Sequence, residues 1–331
     1  MKIAIVTDAW HPQTNGVVQT LTTTMRLLRG FGHPVLVIEP SLFRTVACPT
    51  YPEIRLAWLP YGHVNRLLRD YDPQAVHIAT EGTLGSAARR WCRRQAVPFT
   101  TSYHTQFPEY LRARAPIPLG ISYALLRRFH GAARRTMVAT PSMQRQLAAR
   151  GFSNLARWTR GVDTELFRPR DKNFLPWPRP IAMYVGRVAV EKNIEAFLDM
   201  QFTGTKVVVG DGPARQGLAD RYPAAHFVGY QRGDELALYM AAADVFVFPS
   251  LTDTFGLVML EAMACGVPVA AFPVTGPIDV VSPGVTGLLN HDLARAAHGA
   301  LELNPEDCRA YALQHTWDKA AKQFLGNLVE V

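Results

Sequence analysis

The segment "DVFVFPSLTDTFGLVMLEAMACGVPVAAF", residues 244–272, decides the fold of this chain of 331 residues. It opens with a short apolar run typical of a buried strand, and the polar loop "LTDT" follows. Helical spacing then extends to Gly266, after which a second apolar run begins. A strand, a helix and another strand in this order predict two parallel strands with the helix packed on one face of the sheet.

The same alternation of apolar runs and helical stretches extends in both directions. Runs rich in β-branched residues include "KIAIV", "PVLVIEP", "AVHIAT", "PFTTSYH" and "TMVATPS" in the first half, and "IAMYVGR", "KVVVGDG" and "HFVGY" in the second. The prolines of residues 169–180 fit neither pattern and predict a linker. We therefore predict an α/β fold of two Rossmann-like doubly wound domains, residues 1–168 and 181–315, facing across a cleft. Residues 316–331 would form a helix that packs back on the first domain.

The composition is that of an ordinary globular protein, with 48% apolar and 19% charged residues. The four cysteines are far apart, which argues against a disulfide framework or a zinc site and favours a reducing compartment. The N-terminal run turns polar at Asp8 without a cleavage pattern, so no secretory signal is expected. No uncharged apolar run approaches the length of a membrane span. We expect a cytoplasmic protein, soluble or peripheral to a membrane.

The formal net charge of +8 conceals a strong asymmetry. Residues 1–170 hold 23 Lys and Arg against 9 Asp and Glu, whereas the rest of the chain holds 12 against 18. Ten arginines and a single acid, Glu109, lie between Arg89 and Arg135. A basic half of this kind favours a phosphate-bearing partner, namely a nucleotide, a nucleic acid or an anionic membrane surface. For any one arginine, a solvated helix surface is the better explanation.

The loop and helix of the first segment carry a candidate ligand site, because parallel sheets bind ligands at the carboxyl ends of their strands. The backbone amides of Phe255, Gly256 and Leu257 would suit a phosphate there, and Gly256 would allow a close approach. Glu261 would lie roughly 9 Å further along the helix, close to the distance from a diphosphate to the ribose of one nucleotide. Asp253 would face the transferred sugar. The alternative is that Asp253 caps the helix and Glu261 pairs with an arginine.

Two cations follow the first strand of the second domain. In "YVGRVAVEKN", Arg187 and Lys192 lie at the carboxyl end of a strand, where they would neutralise the diphosphate that leaves during glycosyl transfer. For Lys192 alone, a surface lysine is the simpler explanation. In the first domain, Gly16 of "TNG" would also admit a phosphate, although a plain turn explains a single glycine equally well.

An ordered set of motifs gives the strongest indication of function. The chain resembles the retaining GT-B glycosyltransferases of family 4 in the segments "DAWHPQTNGVVQTL", "SYHTQFPEY", "RGVDTELFRPR", "GRVAVEKN", "VVVGDGP" and "DTFGLVMLEAMACGVPVAA". Within that family it is most similar to membrane-lipid glycosyltransferases such as sulfoquinovosyldiacylglycerol synthase and glycosyl-diacylglycerol enzymes. The resemblance extends over nearly the whole chain.

The resemblance implies roles for individual residues. The family's acid-x7-Glu motif falls on Asp253, which would touch the donor sugar, and on Glu261, which would hold the ribose hydroxyls. Arg187 and Lys192 would bind the diphosphate, and His104 of "SYHT" would lie near the reacting sugar. The implied catalytic residues are His104, Arg187, Lys192 and Asp253. The implied donor-binding residues are Gly16, Arg187, Lys192, Gly229, Tyr230, Asp253, Phe255, Gly256, Leu257 and Glu261.

The resemblance also implies a reaction without a metal or another cofactor, in which the nucleotide sugar is a co-substrate. The only Asp-x-Asp sequence, Asp70 to Asp72, precedes a proline and predicts a helix end rather than a manganese site. Side chains would act by position and charge, and a phosphate oxygen of the leaving group would take the acceptor's proton. Asp253 replaces the Glu that is usual in the family and is one methylene shorter, which bears on the choice of donor sugar.

We expect transfer of a hexose or hexuronic acid from a UDP-sugar to a membrane lipid such as diacylglycerol. The aromatic residues among the arginines and the apolar run "PIPLGISYALL" suit docking on the inner face of an anionic membrane, although the core of a helix explains the run as well. The aromatics are Trp91, Phe107, Tyr110, Tyr123 and Phe129. The expected acceptor-binding residues are Trp10, His11, Tyr103 and Tyr110.

Three other functions fit parts of the sequence. A mannosyltransferase would use GDP-mannose on a glycan or glycolipid. A nucleotide-sugar epimerase on the same scaffold would release UDP without an acceptor. A nucleic-acid-binding module would explain the arginines, but the second half of the chain is acidic, so no nucleic-acid partner is expected.

Overall fold

A computed structural model of the protein describes residues 1–13, 15–48, 51–114 and 118–331. The chain forms two compact units. Unit 1 comprises Met1–Thr159 together with Asp318–Val331, and unit 2 comprises Arg160–Trp317. Each unit is built around its own parallel sheet of six strands.

The sheet of unit 1 is doubly wound. The strands of this unit are β1 (Ile3–Val6), β2 (Val35–Ile38), β3 (Thr45–Cys48), β4 (Tyr51–Ala57), β5 (Ala75–Ile78), β6 (Thr100–Tyr103), β7 (Arg135–Val138) and β8 (Leu155–Arg157). The parallel sheet has the order β2-β1-β5-β6-β7-β8, and β3 and β4 form a separate antiparallel hairpin. The chain runs from β1 to one side and then crosses to β5 on the other side. The carboxyl ends of β1 and β5 therefore flank a topological switch point, the usual place for a ligand in an open parallel sheet.

Helices cover both faces of this sheet because side chains along each strand alternate between the faces. The helices are α1 (Gly16–Gly30), α2 (Tyr61–Tyr71), α3 (Thr83–Arg94), α4 (Phe107–Arg114), α5 (Leu119–His130) and α6 (Pro141–Ala149). Ile5 of β1 packs in one apolar cluster with Leu21 of α1, whereas Val6 belongs to another cluster with Leu84 and Trp91 of α3.

Unit 2 repeats the doubly wound arrangement. Its strands are β9 (Ile181–Val185), β10 (Thr205–Val209), β11 (His226–Gly229), β12 (Val245–Phe248), β13 (Val269–Ala271) and β14 (Gly287–Leu289). Its helices are α7 (Ile194–Asp199), α8 (Arg215–Arg221), α9 (Gly233–Ala242), α10 (Leu257–Ala264), α11 (Pro277–Val280), α12 (Leu293–Ala300) and α13 (Pro305–Leu313). The strand order β11-β10-β9-β12-β13-β14 reverses between β9 and β12, so their carboxyl ends flank the switch point of this unit.

The proline-rich residues 169–180, expected to be a linker, lie inside unit 2. They contain a short 3-10 turn, and Lys172 Nζ donates a hydrogen bond to the carbonyl of Ala243. Arg179 forms an ion pair with Asp244. The chain passes from unit 1 to unit 2 before this segment, at Thr159.

The last helix, α14 (Trp317–Asn327), leads the chain back to unit 1. Phe324 packs on Trp158 with ring centroids 4.7 Å apart, and Gln323 accepts a hydrogen bond from the amide of Thr159 at 2.7 Å. None of the helices in the described ranges is both long and apolar enough to cross a bilayer.

The predicted fold class, two doubly wound α/β domains, is confirmed. The apolar runs read from the sequence correspond to strands of the two sheets. The edge strands β8 and β14 and the β3–β4 hairpin were not predicted. Strands β8 and β14 are only three residues long and lie outside the apolar runs, and the side chains of β8 are only half-buried.

Candidate functional site

The loop after β9 lies at the switch point of unit 2 and packs against the glycine-rich loop after β10. The amide of Val188 donates a hydrogen bond to the carbonyl of Asp211 at 2.9 Å. A Cβ atom on Gly210 would lie 1.9 Å from the carbonyl oxygen of Gly186, and one on Gly212 would lie 2.3 Å from that of Val188. The motif "VVVGDGP" therefore needs both glycines to let the two loops approach each other.

Lys192 and Asp253 form an ion pair across this switch point. The side-chain amide of Asn193 donates to the carbonyl of Pro249 at 3.0 Å and so joins the loop after β9 to the loop after β12. Lys192 Nζ donates to both carboxylate oxygens of Asp253, at 2.7 and 2.9 Å. The two side chains are 21% and 18% exposed. The predicted diphosphate-binding cation and the predicted sugar-binding acid are thus in direct contact.

Helix α10 begins directly after the loop that carries Asp253. Gly256 precedes its first turn at a φ of +82°, and a Cβ there would lie 2.7 Å from Met259 Cε and 2.9 Å from Phe248 Cζ. Gly256 has no side chain to cap the helix, although the amide of Met259 donates to the carbonyl of Gly256 at 3.0 Å. The helix dipole favours an anion at the uncapped amides that precede Met259. Glu261 lies about one turn deeper and is 4% exposed.

The other predicted donor-binding residues of unit 2 lie on neighbouring loops. Arg187 is half-buried after β9, and its carbonyl accepts a hydrogen bond from the hydroxyl of Tyr184 at 2.8 Å. Gly229 ends β11 at a φ of +79°, and Tyr230 beside it is 49% exposed. Because β10 separates β11 from β9, these last two residues lie further from the switch point than Lys192 does.

Two residues that support the Lys192–Asp253 pair were not predicted. Asn193, whose side chain joins the loops after β9 and β12, has a left-handed backbone conformation with a φ of +52°. Gly276, in the loop after β13, has a φ of +96°, and a Cβ there would lie 3.0 Å from the carbonyl oxygen of Asp253. The sequence gives a weak signal for Gly276, the dipeptide Gly-Pro, which marks a turn but no particular contact.

The predicted residues of unit 1 also follow strands. Gly16 is the exposed first residue of α1, but Asn15 caps this helix by accepting hydrogen bonds from two first-turn amides. This end of α1 therefore has fewer amides to offer a phosphate than the start of α10 has. His104 directly follows β6 and is partly exposed. Trp10, which is half-buried, and His11, which is exposed, follow β1.

Tyr103 does not fit its predicted role in the acceptor site. It is the last residue of β6, and its ring is fully buried in the core, so the side chain cannot contact an acceptor. Trp91 and Tyr123, expected at the membrane surface, are also buried because the apolar faces of α3 and α5 pack on the sheet. Tyr110 and Phe129 are half-buried. Pro116 and Ile117 of the apolar run lie outside the described residues.

Two acids at the switch point of unit 1 were not predicted. Asp8, after β1, is 6% exposed and accepts hydrogen bonds from the amide of Leu84 and the hydroxyl of Thr80, both at 2.8 Å. Glu81, after β5, contacts the buried His130. Each acid lies within three residues of the end of its strand. That position is visible in the sequence, but the strand order that makes it a switch point is not.

Burial shifts the pKa of several groups. It raises the pKa of Asp8, against the lowering effect of the hydrogen bonds from Leu84 and Thr80. It also raises the pKa of Cys92 and Cys265 to about 12 and that of Cys308 to about 11. At neutral pH these three thiols stay protonated and do not act as nucleophiles.

In the described part of the chain, no group of three or more His, Cys, Asp or Glu side chains is arranged to hold a metal ion. The nucleotide sugar would be a substrate, and a reaction without metal or cofactor stays a prediction.

Two doubly wound parallel-sheet units of this kind are the architecture of the GT-B fold. The solved structure of sucrose-phosphate synthase from Thermosynechococcus elongatus has this fold, with a TM-score of 0.78 at 24% identity over 98% of this chain and 97% of that chain. The chain belongs to glycosyltransferase family 4. The family model described as Glycosyltransferase Family 4 matches residues 14–166, and the model described as Glycosyl transferases group 1 matches residues 179–303.

Two curated relatives support the same family. The GDP-mannose-dependent alpha-mannosyltransferase of Mycobacterium tuberculosis is 33% identical over 87% of this chain and 83% of that protein. The sulfoquinovosyl transferase SQD2 of Arabidopsis thaliana is 31% identical over 80% of this chain and 58% of that protein. The predicted family and enzyme class are confirmed.

Proposed function

We propose that the protein transfers a sugar from a nucleotide sugar to a membrane lipid, with retention of anomeric configuration. The Lys192–Asp253 ion pair beside the start of α10 carries this proposal. A nucleoside diphosphate would bind the first-turn amides of α10 and compete with Asp253 for Lys192, because two phosphates offer more negative charge than one carboxylate. Asp253 would then accept hydrogen bonds from the sugar, and Glu261 would hold the ribose hydroxyls one helical turn away.

The side chains would stabilise the leaving group. As the acceptor's hydroxyl oxygen bonds to the anomeric carbon, the bond from that carbon to the diphosphate breaks, and the hydroxyl proton passes to a phosphate oxygen. Lys192 and Arg187 would offset the charge that develops on the diphosphate. His104 would position the reacting sugar from its place after β6. This route requires no nucleophile from the protein.

The names of the relatives support GDP-mannose as the first candidate donor, in place of the UDP-sugar favoured by the sequence alone. The mannosyltransferase of Mycobacterium tuberculosis matches over 83% of its own length, and SQD2 matches over 58%. The UDP-sugar expected from the sequence is the second candidate, because SQD2, which is named for a sulfoquinovosyl group and not for mannose, is almost as identical to this chain, at 31% against 33%.

The exposed face of α5 favours a lipid acceptor and a peripheral position on the cytoplasmic face of a membrane. Ile121 and Leu125 lie one helical turn apart and are 57% and 64% exposed. Arg127 and Arg128 on the same helix are also exposed, and Phe107 on α4 is 47% exposed. Exposed apolar side chains beside arginines suit the headgroup boundary of an anionic bilayer. Ile121 and Leu125, which belong to the apolar run expected at the lipid, would therefore dock on the membrane, whereas the buried Trp91 and Tyr123 would not.

The test is transfer to a defined lipid. The protein is incubated with GDP-mannose, UDP-glucose or UDP-glucuronic acid and with phosphatidylglycerol vesicles that contain dioleoylglycerol, and the lipids are analysed by mass spectrometry. We expect a new glycolipid from one donor, and slower formation when Ile121 and Leu125 are replaced by serine. Release of nucleotide without a glycolipid would favour the epimerase interpretation. A lack of both nucleotide release and glycolipid would contradict the proposed function.

A further inference from the structure

We propose that Glu81 binds a hydroxyl group of the acceptor's uncharged headgroup and that His130 positions Glu81 for this contact. This inference rests on the proposed function and names a specificity-determining residue for it. Neither residue belongs to the motifs by which the chain resembles its family.

Glu81 occupies the place in unit 1 where an open parallel sheet receives a ligand. It is the third residue after β5, and β5 pairs with β1 at the point where the strand order reverses. His104 follows β6, which is the next strand beyond β5. The residue expected near the reacting sugar and Glu81 therefore follow adjacent strands at the same edge of the sheet.

A chain of buried hydrogen bonds fixes Glu81 from behind. Glu81 Oε1 lies 3.1 Å from Nε2 of His130, whose side chain is fully buried. Because a carboxylate only accepts hydrogen bonds, Nε2 carries the proton and donates it. On the other side of the ring, Nδ1 lies 2.9 Å from Oγ1 of Thr101, which lies 3.0 Å from Oγ1 of Thr136. Such a relay restricts the rotamers of Glu81 before a ligand binds.

The two acids at this switch point differ in whether a carboxylate oxygen remains to accept a hydrogen bond from a ligand. Both carboxylate oxygens of Asp8 already accept hydrogen bonds, Oδ1 from the amide of Leu84 and Oδ2 from the hydroxyl of Thr80. The side chain of Glu81 is 29% exposed, and its Oε2 has no hydrogen bond to any residue in the described ranges. Glu81 is therefore the acid that can serve a ligand.

The carboxylate of Glu81, together with the buried acid Asp8, selects for hydrogen-bond donors. A glycerol or sugar hydroxyl would donate to Oε2, whereas a phosphate or carboxylate at the same place would be repelled. We therefore expect the enzyme to prefer an acceptor whose polar group near the reacting hydroxyl is a neutral polyol. The basic residues of α5 would attract the surrounding anionic lipids, and Glu81 would select the lipid that reacts.

The decisive variant is Glu81→Gln, which keeps the size of the side chain and removes its charge. The probes are dioleoylglycerol and glucosyl-dioleoylglycerol in phosphatidylglycerol vesicles, each with GDP-mannose, UDP-glucose and UDP-glucuronic acid. We expect KM for the lipid acceptor to rise about 10-fold, while KM for the nucleotide sugar and its slow hydrolysis without lipid stay within about 2-fold. Asp70→Asn, which removes an exposed acid from α2, is the matched control and should change none of these values.

Two further variants test the role of His130. Glu81→Asp keeps the charge but shortens the reach, and we expect its effect on acceptor KM to be smaller than that of Glu81→Gln. His130→Asn should also raise acceptor KM, and the double variant with Glu81→Gln should be no worse than Glu81→Gln alone, because both act through one contact. Additive effects, or losses that follow thermal stability instead of acceptor KM, would show that His130 is merely structural.

The failures of the two proposals can be told apart. If the wild-type protein glycosylates a lipid and Glu81→Gln leaves acceptor KM unchanged, or raises donor KM equally, the assignment of Glu81 is wrong and the proposed function stands. If the wild-type protein transfers sugar from none of the three donors to either lipid, the proposed function fails and this inference fails with it.

Discussion

The two switch points of the molecule use their charged residues in different ways. In unit 2, Lys192 and Asp253 neutralise each other, and α10 begins after Gly256, which has no side chain to cap the helix. In unit 1, Asn15 caps α1, and the carboxylate of Asp8 accepts hydrogen bonds from the first turn of α3. Of the two acids described there, Glu81 is the one with a carboxylate oxygen, Oε2, that accepts no hydrogen bond from the described residues. The first arrangement suits an incoming anion, and the second suits a hydroxyl donor.

The charge at each switch point is opposite in sign to the average charge of the half of the chain that contains it. Residues 1–170 carry an excess of basic residues, yet the switch point of unit 1 is acidic. The rest of the chain carries an excess of acids, yet Arg187 and Lys192 lie at or beside the switch point of unit 2. The average charge of a half indicates which surface it approaches, such as an anionic membrane. The few residues that follow the strands at each switch point determine which ligand binds there.

Replacing Lys192 by Met is expected to have the largest effect. Loss of the cation would remove the stabilisation of the departing diphosphate and lower kcat/KM for the nucleotide sugar by about 100-fold or more. Steady-state kinetics with the active donor measures the effect. Lys322→Met is the control, because Lys322 pairs with Asp318 on the exposed face of α14 and should change kcat/KM by less than about 2-fold. Similar losses in both variants would contradict the role of Lys192.

Replacing Asp253 by Asn is expected to strengthen nucleotide binding and to slow sugar transfer. If Asp253 competes with the diphosphate for Lys192, its removal should tighten the binding of GDP or UDP about 5-fold. Transfer should fall at least 10-fold, because the sugar loses a charged hydrogen-bond acceptor. Isothermal titration calorimetry gives the nucleotide affinity and the lipid assay gives transfer. Weaker nucleotide binding by the variant would rule out the competition and leave Asp253 as a simple support for Lys192.

The sequence predicted Lys192 and Asp253 at one edge of unit 2, where the structure brings them into contact, whereas the two acids of unit 1 were not predicted. The binding roles of Lys192 and Asp253 stay predictions. Lys192, Asp253 and Gly256 lie in short motifs directly after strands, so a local pattern is enough to bring them to one edge. The contact of Glu81 with His130 joins residues 49 positions apart and depends on the order of the strands and on the burial of an imidazole. Tyr103 was wrongly predicted to contact the acceptor for a related reason. Whether its side chain is buried depends on the exact residue at which β6 ends.

Gly256→Ala is a structural test of the uncapped helix start. The left-handed φ and the short distances to Met259 and Phe248 should make this substitution cost about 1–3 kcal/mol in the free energy of unfolding. Gly217→Ala on α8 is the matched control, because a Cβ there meets no atom within 4 Å and alanine favours a helix. Urea unfolding of the two variants measures the difference. An equal stability would mean that the loop before α10 adapts readily, which would weaken the case for a preformed anion site.

The smallest expected effect is a change in the pH dependence of stability at the unit 1 switch point. Burial raises the pKa of Asp8 above its usual value of 3.8, so over the window between that value and the native pKa the folded protein holds a proton that the unfolded chain has released. The free energy of unfolding therefore falls as pH rises through this window. Asp8→Asn removes the titrating group and should flatten that decline in urea unfolding measured from acid to neutral pH. Glu81→Gln should shift the window downward only slightly, because repulsion from Glu81 is the weakest of the contributions that act on Asp8. If the free energy of unfolding of Asp8→Asn depends on pH in the same way as that of the wild type, Asp8 is not a buried titrating acid. Asp8 and Glu81 would then not differ in the way proposed.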